Sequence, residues 1–207
     1  MQEVRRGRIP EEVAKVAKLE RVNPAQLATL ISTGRATIPR NIRNKIEPLG
    51  IGESLTTKVN VNVGTSQALE STENETEKAL MAIKAGADTV MDLSTGGDLD
   101  QIRRELLDVI GVPIGTVPIY QAAVKGDLTS QGMFNALENQ AKDGVDFVTV
   151  HVGVNKDSLD RLQHDPRIMG IVSRGGSLTM KYILETGQEN PYYASMIICW
   201  RLRGSMN

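Results

Sequence analysis

Cysteine is nearly absent from this 207-residue chain: Cys199 stands alone. These residues therefore build neither a disulfide framework nor a metal or iron–sulfur site held by several thiolates. Aromatic residues make up only 3%, while glycine numbers 19. That balance suits Ala/Val/Ile-rich parallel strands with tight βα loops better than a β-sandwich, so an α/β class is expected. Charge of one sign is also missing. Lys+Arg 24 against Asp+Glu 25 leaves a net charge of -1, so no global field recruits nucleic acid or an acidic membrane, although local anion sites remain open. The basic residues of Val4–Arg8 and Arg40–Lys45 have no interleaved aromatics, so no nucleic-acid partner is expected. No apolar run approaches the roughly 20 residues of a membrane span. The charged start, MQEVRRGR, lacks a signal-peptide core, and neither a membrane partner nor export is expected. The expected location is cytoplasmic.

What is present begins with helix. Val13, Val16, Ala17 and Leu19 fall near one face, and Asn23-Pro24 supplies an N-cap with proline at the first helical position, opening a helix that Gly34 stops. Thr37–Gly52, with three of its residues Pro39, Pro48 and Gly50 opposing regular structure, reads as an extended connector. Residues 1–52 are thus expected to be a helical extension and connector, and 53–194 the main domain.

From Lys58 onward a repeated design takes over. Val59–Val63 alternates apolar and polar residues and ends in Gly64-Thr65-Ser66, a strand running into a polar loop. A helix over Glu73–Ala85 leads into a second strand, Asp88–Leu93, which breaks into Ser94-Thr95-Gly96-Gly97. A helix over Leu99–Ile110 precedes a third strand in Pro113–Tyr120, whose prolines fit its ends better than its middle. After a helix over Ser130–Lys142, Asp143-Gly144-Val145-Asp146 repeats the design of Ala85-Gly86-Ala87-Asp88: a helix end, a left-handed glycine and an Asp that opens a strand. The fourth strand is Phe147–Gly153 and the fifth Ile168–Val172. Five βα units in a row predict either an open doubly wound sheet or a (β/α) barrel of TIM type. The first loop is neither GxGxxG nor a P-loop, which favours the barrel.

Ligands of such sheets bind at the C-terminal strand ends. Asn62 there could hold a ligand or close an Asx turn. Met91 could touch a ligand or fill space. Asp92, a carboxylate inside a buried strand, must be either a structural anion or a site residue. Tyr120 ends the third strand, and His151, flanked by valines, is either a satisfied core histidine or an acid/base group. His164 reads as a solvated loop residue. Ser173-Arg174-Gly175-Gly176-Ser177, ahead of a helix over Leu178–Glu185, reads as an anion cradle suited to a phosphate monoester or else as a glycine-rich turn with a surface arginine.

Taken in order, Ile38-Pro39-Arg40-Asn41, Thr57–Ser66, Ala85–Gly97, Pro113–Gln121, Gly144–Gly153, Gly170–Ser177 and Gln188-Glu189-Asn190-Pro191 resemble the phosphomethylpyrimidine synthase family. These are the radical S-adenosylmethionine enzymes that make the thiamine pyrimidine. The resemblance implies a (β/α) barrel and conversion of the phosphorylated aminoimidazole ribonucleotide AIR to hydroxymethylpyrimidine phosphate, with formate and carbon monoxide released. It implies S-adenosylmethionine, a 4Fe–4S cluster and zinc as cofactors. It also makes Asn62, Met91, Tyr120, His151, Ser173, Arg174 and Gly175 substrate contacts, and assigns no catalytic acid or base. Relatives of the same fold make 5-hydroxybenzimidazole from AIR, and this stays open as the alternative, beside a non-catalytic AIR- or phosphate-binding or oligomerisation module.

The family's downstream half, with its Asp-Gly-Leu-Arg loop, zinc-binding histidines and three-cysteine motif, has no counterpart in these residues, so no metal ligand is expected here. Ile42-Arg43-Asn44 replaces the usual Asn-His. The tail 195–207 departs from the family's acidic helix, yet Ser195–Met206 back-translated one base out of phase reads EYDYLLEIAREY. A frameshift and a barrel about three strands short are therefore expected. Two exposed sheet edges would then favour homo-oligomers.

Overall fold

The computed structural model describes residues 2–5, 7–68 and 71–196. Most of the divergent tail, Cys199 included, lies outside the described residues, and so does the phase-shift reading of it. The described chain is a mixed α/β protein with a four-stranded parallel sheet. It divides into two compact units, Met1–Thr116 with Ala141–Phe147, and Val117–Gln140 with Val148–Asn207.

The first unit opens on α1 (Gln2–Arg5), α2 (Glu11–Glu20) and α3 (Pro24–Ser32). Asn23 caps α3 by accepting from the N–H groups of Ala25 and Gln26, with Pro24 at the first helical position. Gly34 takes φ 75° beyond its end, a conformation glycine adopts without a Cβ penalty. Val13, Val16 and Ala17 pack with Leu27, Leu30 and Ile31 into one core. Leu19 does not join them, being 67% exposed; in a helix whose core stripe is already filled by positions 13, 16 and 17, it falls on the outer side.

The connector is more ordered than its prolines suggest. Its ends pair as a two-stranded antiparallel ribbon, β1 (Ala36–Thr37) with β2 (Ile51–Gly52), and its middle is fastened by side chains. Asn41 donates through Nδ2 to the carbonyls of Ala141 and Val145, and Asn44 donates to the Gly144 carbonyl and to Asp146. Glu20 at the end of α2 accepts from the Thr56 N–H at 2.8 Å and from the Lys58 ammonium at 2.7 Å. Burial pushes the Glu20 carboxyl up, but the bonds from Lys58 and Thr56 together hold it below the usual carboxylate value.

The sheet runs β3 (Asn60–Val63), β4 (Thr89–Asp92), β5 (Ile114–Thr116) and β6 (Phe147–Val148), in that order. Helices α4 (Thr72–Lys84) and α5 (Leu99–Val109) pack against it, and Val63, Val90 and Ile114 share a core with Ala79, Leu99, Ile102 and Leu106. The repeated turn does the same job twice. Gly86 and Gly144 both take positive φ, and the Asp that follows each accepts a backbone N–H at the start of the preceding strand segment: Asp88 from Val59 at 2.7 Å, Asp146 from Ile114 at 2.9 Å.

In the second unit lie α6 (Pro118–Val124), most of α7 (Ser130–Asp143), α8 (Lys156–His164) and α9 (Arg174–Thr186). Several expectations change here, among them the loop placement of His164. The third strand stops at Thr116, because Pro118 cannot donate to a ladder and instead starts α6, so Tyr120 is helical. The fourth strand stops at Val148 and His151 sits in the loop beyond it. Ile168–Val172 forms no strand among the described residues: Gly170 takes φ 58°, and Ile168, Met169 and Val172 are exposed. Finally, α9 begins at Arg174, not Leu178, since Ser173 caps it by accepting from the Gly176 N–H; the cap outweighs the low helix propensity of two glycines. His164 lies in the last turn of α8.

Candidate functional site

Strand alternation decides which side chains of the first unit face the helices. In the parallel register Asn60 lies opposite Thr89, Asn62 opposite Met91, and Met91 opposite Gly115. These positions alternate with Val63, Val90 and Ile114, which face the helix core, so Asn62 and Met91 share the other face. A hydrogen-bonded row runs along it: Thr89 Oγ1 donates to Asn60 Oδ1 at 2.8 Å, and Asn60 Nδ2 donates to Asn62 Oδ1 at 3.3 Å. The row occupies the Asn62 oxygen and leaves its Nδ2 as the group to offer a ligand acceptor. Phe147 packs directly over Gly115, where any Cβ would collide with the ring. Asn60, Thr89, Met91 and Phe147 border a cavity of about 370 Å³ that also touches Leu55 and Lys58. A separate cavity of about 300 Å³ beside the N-terminal helices, between Val13, Ile31 and Arg40, touches none of the expected site residues.

Asp92 faces the helices and is buried. Its Oδ1 accepts from both the N–H (2.9 Å) and the hydroxyl (2.5 Å) of Ser94. Burial raises its carboxyl above the usual range; the Ser94 bonds and the Arg103 charge work against that rise and Glu75 adds to it. Ser94 Oγ in turn accepts from the Thr65 N–H, and Thr65 Oγ1 donates to the Gly96 carbonyl. Asp92 is thus a buried structural carboxyl that knots together the loops after β3 and β4.

In the second unit the guanidinium of Arg174 lies over the Tyr120 ring, 5.2 Å from its centroid. Beside it the imidazole of His151 rests on Gly175: a Cβ there would come within 2.5 Å of Nδ1 and 2.7 Å of Nε2. Among the described residues, the one buried side-chain nitrogen or oxygen without a hydrogen-bond partner is His151 Nδ1, and burial holds the imidazole below its ordinary value. Ser173, Arg174 and Gly175 form the cap and first turn of α9, where backbone N–H groups have no helical acceptor and the helix dipole is positive. A cation, an aromatic face, an imidazole and first-turn amides at one helix start can hold a phosphate and the ring attached to it.

Asn62 and Met91 are therefore neighbours in one unit, and Tyr120, His151, Ser173, Arg174 and Gly175 are neighbours in the other. Sequence reasoning missed the side chains that hold them. Asn60 and Thr89 were visible only as strand polarity. Among the described residues no group of three His, Cys, Asp or Glu side chains could hold a metal ion. A 4Fe–4S cluster needs three or four thiolates, and the 207 residues hold one cysteine, so the donor set present does not fit that cluster. No described helix is long and apolar enough to cross a membrane.

These features define an α/β protein with a parallel four-stranded sheet. The chain belongs to the radical SAM ThiC family, whose profile matches residues 1–197. It is 46% identical to phosphomethylpyrimidine synthase of Pyrococcus furiosus over 202 residues, covering 93% of this chain and 47% of the relative. It is 47% identical to phosphomethylpyrimidine synthase of Thermus thermophilus over 203 residues, covering 94% and 47%. Phosphomethylpyrimidine synthase 1 of Methanosarcina mazei is 47% identical over 198 residues, with 94% and 46% covered. The chain spans about half the length of the curated relatives it matches.

Proposed function

We propose that this chain supplies the AIR-binding part of a phosphomethylpyrimidine synthase of thiamine biosynthesis, working in the cytoplasm, with its parallel sheet forming the first part of a (β/α) barrel. The observation that carries the reading is the grouping of Arg174, Tyr120, His151 and Gly175 around the start of α9, in a chain of this family. In this reading the phosphate of AIR takes the Arg174 guanidinium and the first-turn amides of α9. Tyr120 braces the guanidinium from behind. His151, its imidazole held below the ordinary value by burial, offers a ring nitrogen to the substrate. Asn62 and Met91 of the first unit are proposed as substrate contacts on the family resemblance alone.

Radical S-adenosylmethionine chemistry belongs to the family. The single cysteine does not fit the family's cluster, so in this reading the role of these residues is to bind and orient substrate. The lone cysteine equally supports a second reading, a non-catalytic AIR-binding module. A 5-hydroxybenzimidazole synthase would use the same substrate groups. Calorimetric titration of the chain with AIR tests both readings at their common point: saturable binding supports them, and a folded chain that takes up no AIR removes them.

A further inference from the structure

The segment Gln188-Glu189-Asn190-Pro191 follows α9 and has no part in the site as described so far. Its side chains nevertheless reach back to the loop that carries His151. Asn190 is fully buried. It donates through Nδ2 to the His151 carbonyl at 2.9 Å and to the Val154 carbonyl at 2.8 Å, while its Oδ1 accepts from the Tyr192 N–H at 3.0 Å. Every hydrogen-bonding capacity of the amide except one oxygen lone pair is used. Next to it, the Glu189 carboxylate accepts from the Lys156 N–H at 3.2 Å and from the Asn190 N–H at 2.7 Å. Residues 151–156 are therefore pinned at three backbone points by two consecutive side chains.

We infer that Asn190 is a positioning residue for the substrate site, acting through His151. The His151 backbone and its ring are held in different ways. β6 ends at Val148, so no sheet ladder fixes the backbone at His151; Asn190 takes the carbonyl that a strand neighbour would otherwise bond. The ring makes no side-chain hydrogen bond through Nδ1 and rests on the bare Cα of Gly175. With the ring itself untethered at Nδ1, its placement over α9 depends on the backbone below it, and that backbone is set by Asn190. Tyr192, whose N–H completes the Asn190 bonds, is anchored by its own hydroxyl to the Met133 carbonyl at 3.0 Å, so the clasp is tied to α7 and does not float.

This inference rests on the AIR-binding reading for its effect on affinity, but the position of His151 is measurable without any ligand. The chain has two histidines, and His164 on the exposed end of α8 serves as an internal reference; an H164Q variant assigns the two resonances. NMR titration of the unmodified chain, N190A and N190S is followed by calorimetry with AIR. The expected result for N190A is an upward move of the His151 titration toward the ordinary imidazole value, because the ring leaves its dry seat on Gly175. The Kd for AIR rises roughly three- to tenfold, about one neutral hydrogen bond. N190S, which keeps a hydroxyl donor for one of the two carbonyls, falls between.

Should N190A and N190S fail to fold, the unmodified chain still gives an answer: the Nδ2 protons of Asn190 exchange slowly with solvent if both carbonyls are held, and exchange at the rate of a free amide overturns the inference. Variants that melt earlier, yet leave the His151 titration and the AIR affinity where they were, would reduce Asn190 to a purely structural residue and also overturn it. An unmodified chain that binds no AIR removes the functional reading alone, since the His151 titration still reports on Asn190.

Discussion

Met91 and Asp92 are consecutive in β4 and look in opposite directions: Met91 lies beside Asn62 on the face turned from the helices, and Asp92 closes on Ser94 under them. Met91 therefore borders the cavity on one face of the sheet, and Asp92 belongs to the internal support on the other. Two substitutions at Asp92 test that support. Asp92→Asn keeps an oxygen for Ser94 and is expected to hold stability at pH 7 within about 1 kcal/mol; Asp92→Ala leaves Ser94 unpaired and costs about 1–3 kcal/mol in chemical denaturation. The sign with pH follows from the raised carboxyl. The contribution of Asp92 is greatest below its unfolded value of 3.8 and declines as pH rises through the higher folded value. Asp92→Asn abolishes that decline.

Glu20 behaves in the opposite sense. Its carboxyl is held below the ordinary 4.5, so the link to Lys58 and Thr56 stabilises the fold above that value and is lost as pH falls through the lower folded one. Glu20→Gln should lower Tm at pH 7, and the gap to the unmodified chain should close on acidification. A gap that is the same at every pH would mean that the bond to Thr56 alone matters.

Gly115 has no room for a side chain because Phe147 occupies the space above it. Gly115→Ala is expected to destabilise by about 1–3 kcal/mol through overpacking, and adding Phe147→Leu should recover part of the loss. Strict additivity of the two in a denaturation cycle would show that the collision does not occur.

Much of this architecture was readable beforehand, and the reasons are local. The Asn23-Pro24 helix start, the two Gly-x-Asp turns at 86–88 and 144–146, and the strand–helix alternation from Asn60 to Thr116 depend on neighbouring residues, and they appear where expected. Ser173 at the head of α9 was legible as a polar turn but not as a cap, because glycines at 175 and 176 argue against helix on propensity alone. Tyr120 was misplaced for a single reason: Pro118 marks both a strand end and a helix start, and the second role governs. His151 was assigned to a strand because valines flank it, whereas its carbonyl goes to Asn190, 39 residues away; no local pattern carries that bond. Leu80, like Leu19, is exposed because the core stripe of its helix is already complete.

Arg174 tests the phosphate side of the account. Arg174→Ala is expected to weaken AIR binding by about 1.5–3 kcal/mol, the worth of a charge-assisted contact, with little change in Tm since the side chain is exposed. Tyr120→Leu should give a smaller loss of about 0.5–1 kcal/mol, because it removes only the aromatic face behind the guanidinium. Equal losses from both, read by calorimetry, would argue that Tyr120 contacts the ligand in its own right.

The central claim is that these residues form a binding site for a phosphorylated aminoimidazole ribonucleotide. Calorimetric titration of the unmodified chain with AIR and, in parallel, with the same nucleoside lacking its phosphate tests it most directly. The account predicts a saturable one-to-one isotherm with AIR and its near disappearance without the phosphate. A cooperatively folded chain that binds neither compound, or binds both alike, would contradict it.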